Sequence, residues 1–289
     1  MQFRTRFAPS PTGPLHLGHA YSAILSHDMA KAATGTFLLR IEDIDRSRSR
    51  PEWEAQIYDD LTWLGLTWPS PVLRQSDRLP LYRGALRHLW ARGLLYPCTC
   101  NRRDIAAAAN APQEGAPLHG PDGIVYPGTC RHIPDSTQPL PDTALRLNTA
   151  RALEILTHRP FARPLQFTET GTGQPETHVI DPADFLQNVG DIVLARRDMG
   201  TSYHLSVVLD DAAQHITHVT RGADLFAATQ IHVLLQQLLH LPTPLYHHHR
   251  LIRDDQGKRL AKRDDARAIA TYRAEGATPH DIRHLIGLD

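Results

Sequence analysis

Phe7-Ala8-Pro9-Ser10-Pro11-Thr12-Gly13-Pro14-Leu15-His16-Leu17-Gly18-His19-Ala20 is the stretch on which the reading of this chain turns. The residues before it, Gln2 to Phe7, alternate and carry aromatic ends, which predicts a short strand. Pro9, Pro11, Gly13 and Pro14 then forbid regular structure. After Leu15 the apolar spacing becomes helical, through Leu17, Ala20, Ile24 and Leu25. The unit is strand, tight loop, helix. His16 and His19 fall three apart on one face of the first helical turn. A helix N-terminus offers N–H groups and partial positive charge, which suit phosphate, and two imidazoles there can donate to phosphoryl oxygens. Gly18 removes a side chain where a flat base would lie against the backbone. The plain alternative is a pair of surface histidines in a chain that has 18 of them. It leaves their spacing directly after a strand unexplained.

Composition sets the outer bounds. With 289 residues the chain suffices for one large domain or two modest ones. Hydrophobic residues make up 41% and charged residues 21%, which supports a sizeable core and argues against disorder. Lys+Arg and Asp+Glu both total 31, so a globally basic nucleic-acid binder is not indicated, although a local basic face is compatible. No apolar run approaches the roughly 18 residues of a membrane span, and the N-terminus lacks a signal pattern, so the expected location is the cytoplasm with no membrane partner. Three cysteines do not make a disulfide framework.

Outward from the opening stretch, Thr36 to Ile41 reads as a buried strand running into Glu42-Asp43-Ile44-Asp45-Arg46. Open α/β sheets place ligands at strand C-termini, so this acidic cluster is well located for a substrate amine; a bare solvated turn is the alternative. Pro51 to Leu64 is a helix with Trp53, Ile57, Leu61 and Leu64 on its core face. Gln75-Ser76 begins a linker, and Leu79 to Gly93 is the next helix, with Arg83, Arg87 and Arg92 on a solvated face. Cys98-Thr99-Cys100 and Cys130 then bring all three cysteines into one region, around a helix fragment and loop over Asn101 to Gly123. A structural zinc takes four ligands in a tetrahedron. The cysteines supply three, and His119, His132, Tyr126 and Asp122 are the candidates for the fourth. Phe161 to Thr168 and His178 to Asp181 complete a small sheet beyond this lobe. Tyr203 to Asp211 is a central helix or strand, and Ile216 to Leu225 a strand whose Arg221 can clamp a carboxylate bidentately unless it pairs with Asp224. Ala227 to Leu239 is a helix, and His247-His248-His249 reads as a strand edge. The polar loop Arg259-Leu260-Ala261-Lys262-Arg263 carries cations that can close over a triphosphate.

The His16/His19 stretch resembles the HIGH signature of class I aminoacyl-tRNA synthetases, and Arg6 to Gly13 resembles the glutamyl and glutaminyl branch. Arg40 to Asp45 is similar to that branch's Arg-Ile-Glu-Asp-Thr-Asp, departing at Ile44. Arg259 to Arg263 resembles the KMSKS loop, with Arg259 in place of the first lysine and Ala261 in place of the serine. The cysteine pattern resembles the zinc site of glutamyl-queuosine tRNA(Asp) synthetases, in which a Tyr four residues before the last Cys completes the set; this implies Cys98, Cys100, Tyr126 and Cys130 around one structural Zn2+. From Arg6 to Arg263 the resemblance implies an α/β fold, a doubly wound parallel Rossmann-type domain at 1–95 and 185–245. It implies a zinc-bearing insertion at 96–184, a KMSKS-like subdomain at 246–289 and no anticodon-binding domain. The implied chemistry is activation of L-glutamate by ATP with Mg2+, then transfer to queuosine in tRNA(Asp), by a monomer. The resemblance puts Pro9, His16, Gly18, His19, Arg259 and Lys262 on ATP, with His16, His19 and Lys262 catalytic. It puts Arg6, Ser10, Glu42, Tyr203 and Arg221 on glutamate. Competing readings are a shortened glutamyl-tRNA synthetase charging a tRNA 3′ end, another HIGH-type nucleotidyl transferase, and a non-catalytic RNA-binding paralogue.

Overall fold

The computed structural model describes residues 2–109, 119–131, 136–158, 163–252 and 267–288. The chain opens with β1 (Arg4–Phe7), α1 (Leu17–Ala32) and β2 (Thr36–Ile41). α2 (Pro51–Trp63), β3 (Leu73–Arg74) and α3 (Leu79–Ala91) follow. β1, β2 and β3 pair in that order, all parallel. Parallel strands bury both faces, and this is why β2 is nearly all apolar. Ala20, Ala23 and Ile24 of α1 pack with Phe7, Phe37, Leu39 and Ile41 in one core cluster. Gly35 lets the chain turn from α1 into β2, since a Cβ there would sit 2.3 Å from the Phe3 carbonyl oxygen. The expected linker at Gln75 is instead a 3₁₀ turn over Gln75–Arg78, held because fully buried Gln75 donates to Asp210 at 2.9 Å.

The chain then leaves this layer. β4 (Leu95–Pro97), α4 (Arg102–Ala109), β5 (His119–Gly120), β6 (Gly123–Ile124) and β7 (Leu145–Leu147) come first. α5 (Thr149–Thr157), β8 (Gln166–Glu169), β9 (Glu176–Val179), α6 (Pro182–Asn188) and β10 (Val193–Ala195) follow. β10, β7 and β4 form an antiparallel sheet in that order. The return runs through α7 (Tyr203–Ala213), β11 (His218–Gly222), α8 (Thr229–Leu238) and β12 (Leu245–His249). Two sequence expectations change here. The β8–β9 hairpin does not make a separate small sheet; β8 pairs with β12, giving the order β11-β12-β8-β9. The triple histidine is consequently not a sheet edge, because β12 runs between β11 and β8 and buries His248 and His249. β10 pairs with β7, while β8 joins β12.

The two sheets adjoin where Thr217 N–H donates to the Arg4 carbonyl at 3.0 Å. β1 and β11 are thereby neighbours with chain leaving in opposite directions, and in open α/β sheets that crevice is where ligands sit. The described chain ends with α9 (Ile269–Ala274) and α10 (Pro279–Ile286), which packs on α1. Ile269 N–H donates to the Leu15 carbonyl at 2.9 Å and Ala268 bridges to His16, so this segment is fastened beside the histidine turn. Arg259 and Lys262 lie outside the described residues. Among the described residues no helix is long and apolar enough to cross a membrane.

Candidate active site and metal centre

His16 is the N-cap of α1, in extended conformation, and its Nδ1 accepts from Gly18 N–H at 3.1 Å. In return His16 N–H donates to His19 Nδ1 at 3.2 Å. The two rings lie 3.8 Å apart. This is a capping box built from two imidazoles. Because each Nδ1 accepts, each ring carries its proton on Nε2, the tautomer suited to donating toward a phosphate. A Cβ on Gly18 would come 3.1 Å from His16 Cε1, so the glycine's first service is to let that ring fold back.

Next to this turn lies a cavity of about 630 Å³, bounded by Pro9, Ser10, His19, Glu42 and Tyr203 from the parallel-sheet layer and its helices and by Pro121, Asp122, Val193 and Arg196 from the inserted lobe. A smaller recess of about 190 Å³ shares His19, Glu42 and Tyr203 and adds Arg6, Ser22 and Arg221. Thus Arg6, Ser10, His19, Glu42, Tyr203 and Arg221, and Pro9, converge on one space. His16 and Gly18 stand one turn back, in the cap itself.

The recess has a charged floor that the sequence reading missed. Arg6 donates to Asp211 through Nε at 3.0 Å and an Nη at 3.4 Å. Arg40, with no exposed surface, donates to Asp211 at 2.7 Å and to Glu42 at 3.1 Å. Burial pushes the Glu42 carboxyl up against the pull of Arg40 and Arg6. Burial works the same way on Asp211, but the guanidiniums of Arg6 and Arg40 prevail and hold it below the usual carboxylate range. An arginine inside the apolar run Thr36 to Ile41, and Asp210-Asp211 inside an apolar helix, were the visible signals: charges in core positions need partners.

Arg221 is treated differently. It donates to His248 Nε2 at 3.0 Å, to His232 Nδ1 at 2.9 Å and to Thr229 Oγ1 at 2.7 Å. Neither the Arg221–Asp224 pair nor any other ion pair of Arg221 forms among the described residues. His248 is in turn bonded through Nδ1 to the buried carboxylate of Glu169.

The second centre lies in the inserted lobe. The sulfurs of Cys98, Cys100 and Cys130 lie within 4.8 Å of one another, with Cys100 and Cys130 3.5 Å apart. The Tyr126 hydroxyl is 3.5 Å from Cys98 Sγ and 3.4 Å from Cys100 Sγ, and accepts from Cys130 N–H at 2.8 Å. Zn–S bonds of about 2.3 Å in a tetrahedron put sulfurs about 3.8 Å apart, so this donor set fits a zinc ion. Arg146 stacks 3.8 Å from the Tyr126 ring centroid and donates to Cys98 Sγ at 3.3 Å. Of the other candidates for the fourth ligand, Asp122 is engaged by His204 at 3.4 Å, and His132 lies outside the described residues. A cleft of about 770 Å³ runs past this cluster and is lined by Arg102, Arg146, Arg196 and Arg197.

A parallel sheet split by a cysteine-bearing insertion, with two histidines at the first helix start beside a charged crevice, defines a class I tRNA synthetase catalytic unit. The family profile for class I (E and Q) tRNA synthetases, catalytic domain, matches residues 2–138 and 165–288. Within that class the chain belongs to the glutamyl-Q tRNA(Asp) synthetase family. The Rhodobacter capsulatus protein of that name is 68% identical over 286 residues, covering 98% of this chain and 99% of its own length. The Symbiobacterium thermophilum one is 40% identical, covering 96% of this chain and 83% of its own. Among solved structures, a glutamate tRNA ligase from Elizabethkingia meningosepticum in complex with its amino acid superimposes with a TM-score of 0.75 at 25% identity. The whole of this chain is covered, and it spans 61% of that ligase.

Proposed function

We propose that this chain activates L-glutamate with ATP and transfers the glutamyl group to queuosine in the anticodon of tRNA(Asp). The glutamate α-carboxylate oxygen attacks the α-phosphorus of ATP, and pyrophosphate leaves with its Mg2+. The glutamyl group then passes to a hydroxyl of the queuosine cyclopentenediol, with AMP as leaving group. No enzyme nucleophile is needed; alignment and charge stabilisation supply the rate.

One observation carries the amino-acid assignment. Arg6 and Arg221 line the recess with Glu42 as the acidic group among its described lining residues, so two cations less one anion leave one positive charge on its walls. Glutamate, with two carboxylates and one ammonium, carries the matching single negative charge. Glu42 takes the ammonium, Arg6 and Arg221 with Ser10 and Tyr203 take the carboxylates and chain. His16, His19, Pro9 and Gly18 serve ATP, and Lys262 with Arg259 the departing pyrophosphate. Cys98, Cys100, Tyr126 and Cys130 hold one structural Zn2+. The acceptor assignment follows the 68% identical relative. The arginine-lined cleft between the metal centre and the active site suits a single-stranded RNA loop. The same reading places a monomer in the cytoplasm.

The test uses radiolabelled glutamate with tRNA(Asp) that carries or lacks queuosine. Label should enter only the modified RNA and should survive removal of its 3′-terminal adenosine. Charging of tRNA(Glu) at its 3′ end would make the protein a glutamyl-tRNA synthetase instead, and glutamate-independent RNA binding alone would make it a paralogue.

A further inference from the structure

Arg221 sits at the middle of a directed hydrogen-bond chain. A guanidinium only donates. The two imidazole nitrogens facing it, His248 Nε2 and His232 Nδ1, must therefore both be bare acceptors. Each ring then carries its proton on the other nitrogen. His248 Nδ1–H donates to Glu169, whose oxygens also accept from the N–H groups of His248, Thr170 and Gly171. His232 Nε2–H faces His204 Nδ1 at 3.1 Å, and His204 Nε2 faces Asp122 at 3.4 Å. Arg221, His232, His248 and Glu169 are all buried. Burial, and then the Arg221 charge, lower the basicity of His232, in keeping with neutral rings.

The contrast with the neighbouring arginines gives this chain its meaning. Arg6 and Arg40 both bond to the Asp211 carboxylate, which meets part of their charge within the protein. Arg221 is held as firmly, but by uncharged acceptors. Its geometry is fixed while its full charge remains, directed at the recess that also holds Tyr203 and Glu42. A carboxylate at the place of either imidazole would hold Arg221 equally well and would compete with the ligand.

We infer that His232 and His248 are positioning residues that fix Arg221 without neutralising it, so that it receives a substrate carboxylate. This rests on the proposed glutamate site, and it adds two residues that the sequence motifs do not include.

The test measures KM for glutamate and for ATP separately, by ATP–pyrophosphate exchange, in H232L, H232N, H232D and H248Q. Losing a hydrogen bond to a charged group typically costs about tenfold or more in affinity, so H232L should raise the glutamate KM by that factor with the ATP KM within about twofold. H232N and H248Q retain an accepting oxygen and should recover most of the loss. H232D retains the acceptor but adds a charge, and should bind glutamate more weakly than H232N, which has the same shape. A purely structural role would treat Asn and Asp alike. If H232L does not fold, as judged by its thermal melt, the Asn/Asp pair still decides. Inhibition by 4-aminobutyrate, which lacks the α-carboxylate, and by norvaline, which lacks the side-chain one, identifies the ligand group: the compound whose affinity is equal in H232N and H232D lacks the carboxylate that Arg221 holds. Equal glutamate KM values for H232N and H232D, or glutamate and ATP KM values rising together, would overturn the inference. Absence of glutamate-dependent exchange in the unaltered protein would instead remove the site reading on which it depends.

Discussion

At the scale of single residues, the same side chain type does opposite jobs according to its partner. His19 accepts at Nδ1 from the backbone of the cap and so directs its Nε2 proton outward along the helix start. His232 and His248 accept from a guanidinium and direct their protons inward. In the proposed reaction the first arrangement would serve an anion whose charge changes; the second fixes a cation. A donor aimed at developing charge is worth about 2.7–4 kcal/mol in the transition state, so His19→Ala should lower the rate of glutamate-dependent ATP–pyrophosphate exchange about 10²–10³-fold. If the loss appears only in the ATP KM and not in the rate, His19 binds ATP without favouring the transition state. Asp60 provides a separate residue-scale test, of stability. It is 1% exposed, Gln56 donates to its Oδ1 at 2.8 Å, and its Oδ2 has no hydrogen-bond partner among the described residues. Burial pushes its carboxyl up from 3.8 to about 6. The folded value thus exceeds the unfolded one, so ionised Asp60 destabilises the fold. The penalty is absent below the unfolded value, grows between roughly pH 4 and 6, and is full above. Asp60→Asn should therefore stabilise the protein at pH 7.5 by roughly 1–3 kcal/mol, and the gain should fade toward pH 4. Urea titrations at the two pH values check it; a gain independent of pH would mean that ionisation is not the cause.

At the scale of elements, α10 shows which contacts hold the end of the described chain against α1. Thr278 and Asp281 make a capping box, Pro279 takes the first helical position, and Gly287 closes the helix at φ 67°. Arg283 reaches Asp28 of α1 at 2.8 and 3.0 Å, but both side chains are about a third exposed, the regime in which ion pairs contribute little. Ile282 and Ile286 have no exposed surface. The expected order of destabilisation is Ile282→Ala at about 2–5 kcal/mol, Thr278→Ala at about 1, and Asp28→Ala below about 1. Denaturation midpoints of the three variants measure it, and an Asp28→Ala cost equal to that of Ile282→Ala would show that charge, not packing, fixes this helix. Elements with a strong local signal were legible in the sequence: β2 spans Thr36–Ile41 as its apolar run indicated, and α1, α2, α3 and α8 follow their spacing to within a residue or two. Long-range pairing was not legible. Nothing local in Leu245 to His249 says that β8 will cover its second edge, and three polar residues in a row resemble an edge strand. The histidine turn, Glu42 and Arg221 were visible because each sits at the end of an element. Arg40, Asp211 and His232 were not, because a charged or polar residue inside an apolar run acquires a role only through a partner distant in sequence, such as the 171 positions between Arg40 and Asp211.

At the scale of the whole molecule, the catalytic layer and the inserted lobe divide the proposed work unequally. Every residue assigned to glutamate comes from β1, the loop after it, the end of β2, α7 or β11. Cys98, Cys100 and Tyr126 line a different cleft, which among the described residues shares Asp122, Val193 and Arg196 with the active-site cavity. The lobe has its own support, since Tyr96, Arg131 and the Thr149 N–H all bond to buried Asp191. Its small cluster of Tyr96, Cys98 and Tyr126 is too slight to fix the segment from Cys98 to Cys130 by apolar burial alone. A structural metal there contributes folding energy locally, and its removal should release that segment while the parallel sheets persist. Protein purified without added zinc should contain about one equivalent, as one closed four-ligand site requires. After chelation, ATP–pyrophosphate exchange with glutamate should continue at close to its original rate, while transfer of glutamate to RNA should fall sharply, because the arginine-lined cleft loses the wall formed by Cys98, Cys100 and Tyr126. Hydrogen exchange should rise in 96–109 and 119–131 and stay unchanged in β1, β2 and α1. If exchange activity and transfer fail in parallel, the lobe supports the catalytic layer as well, and the division of labour between them is wrong; if no metal is found in active protein, the four-ligand assignment itself falls.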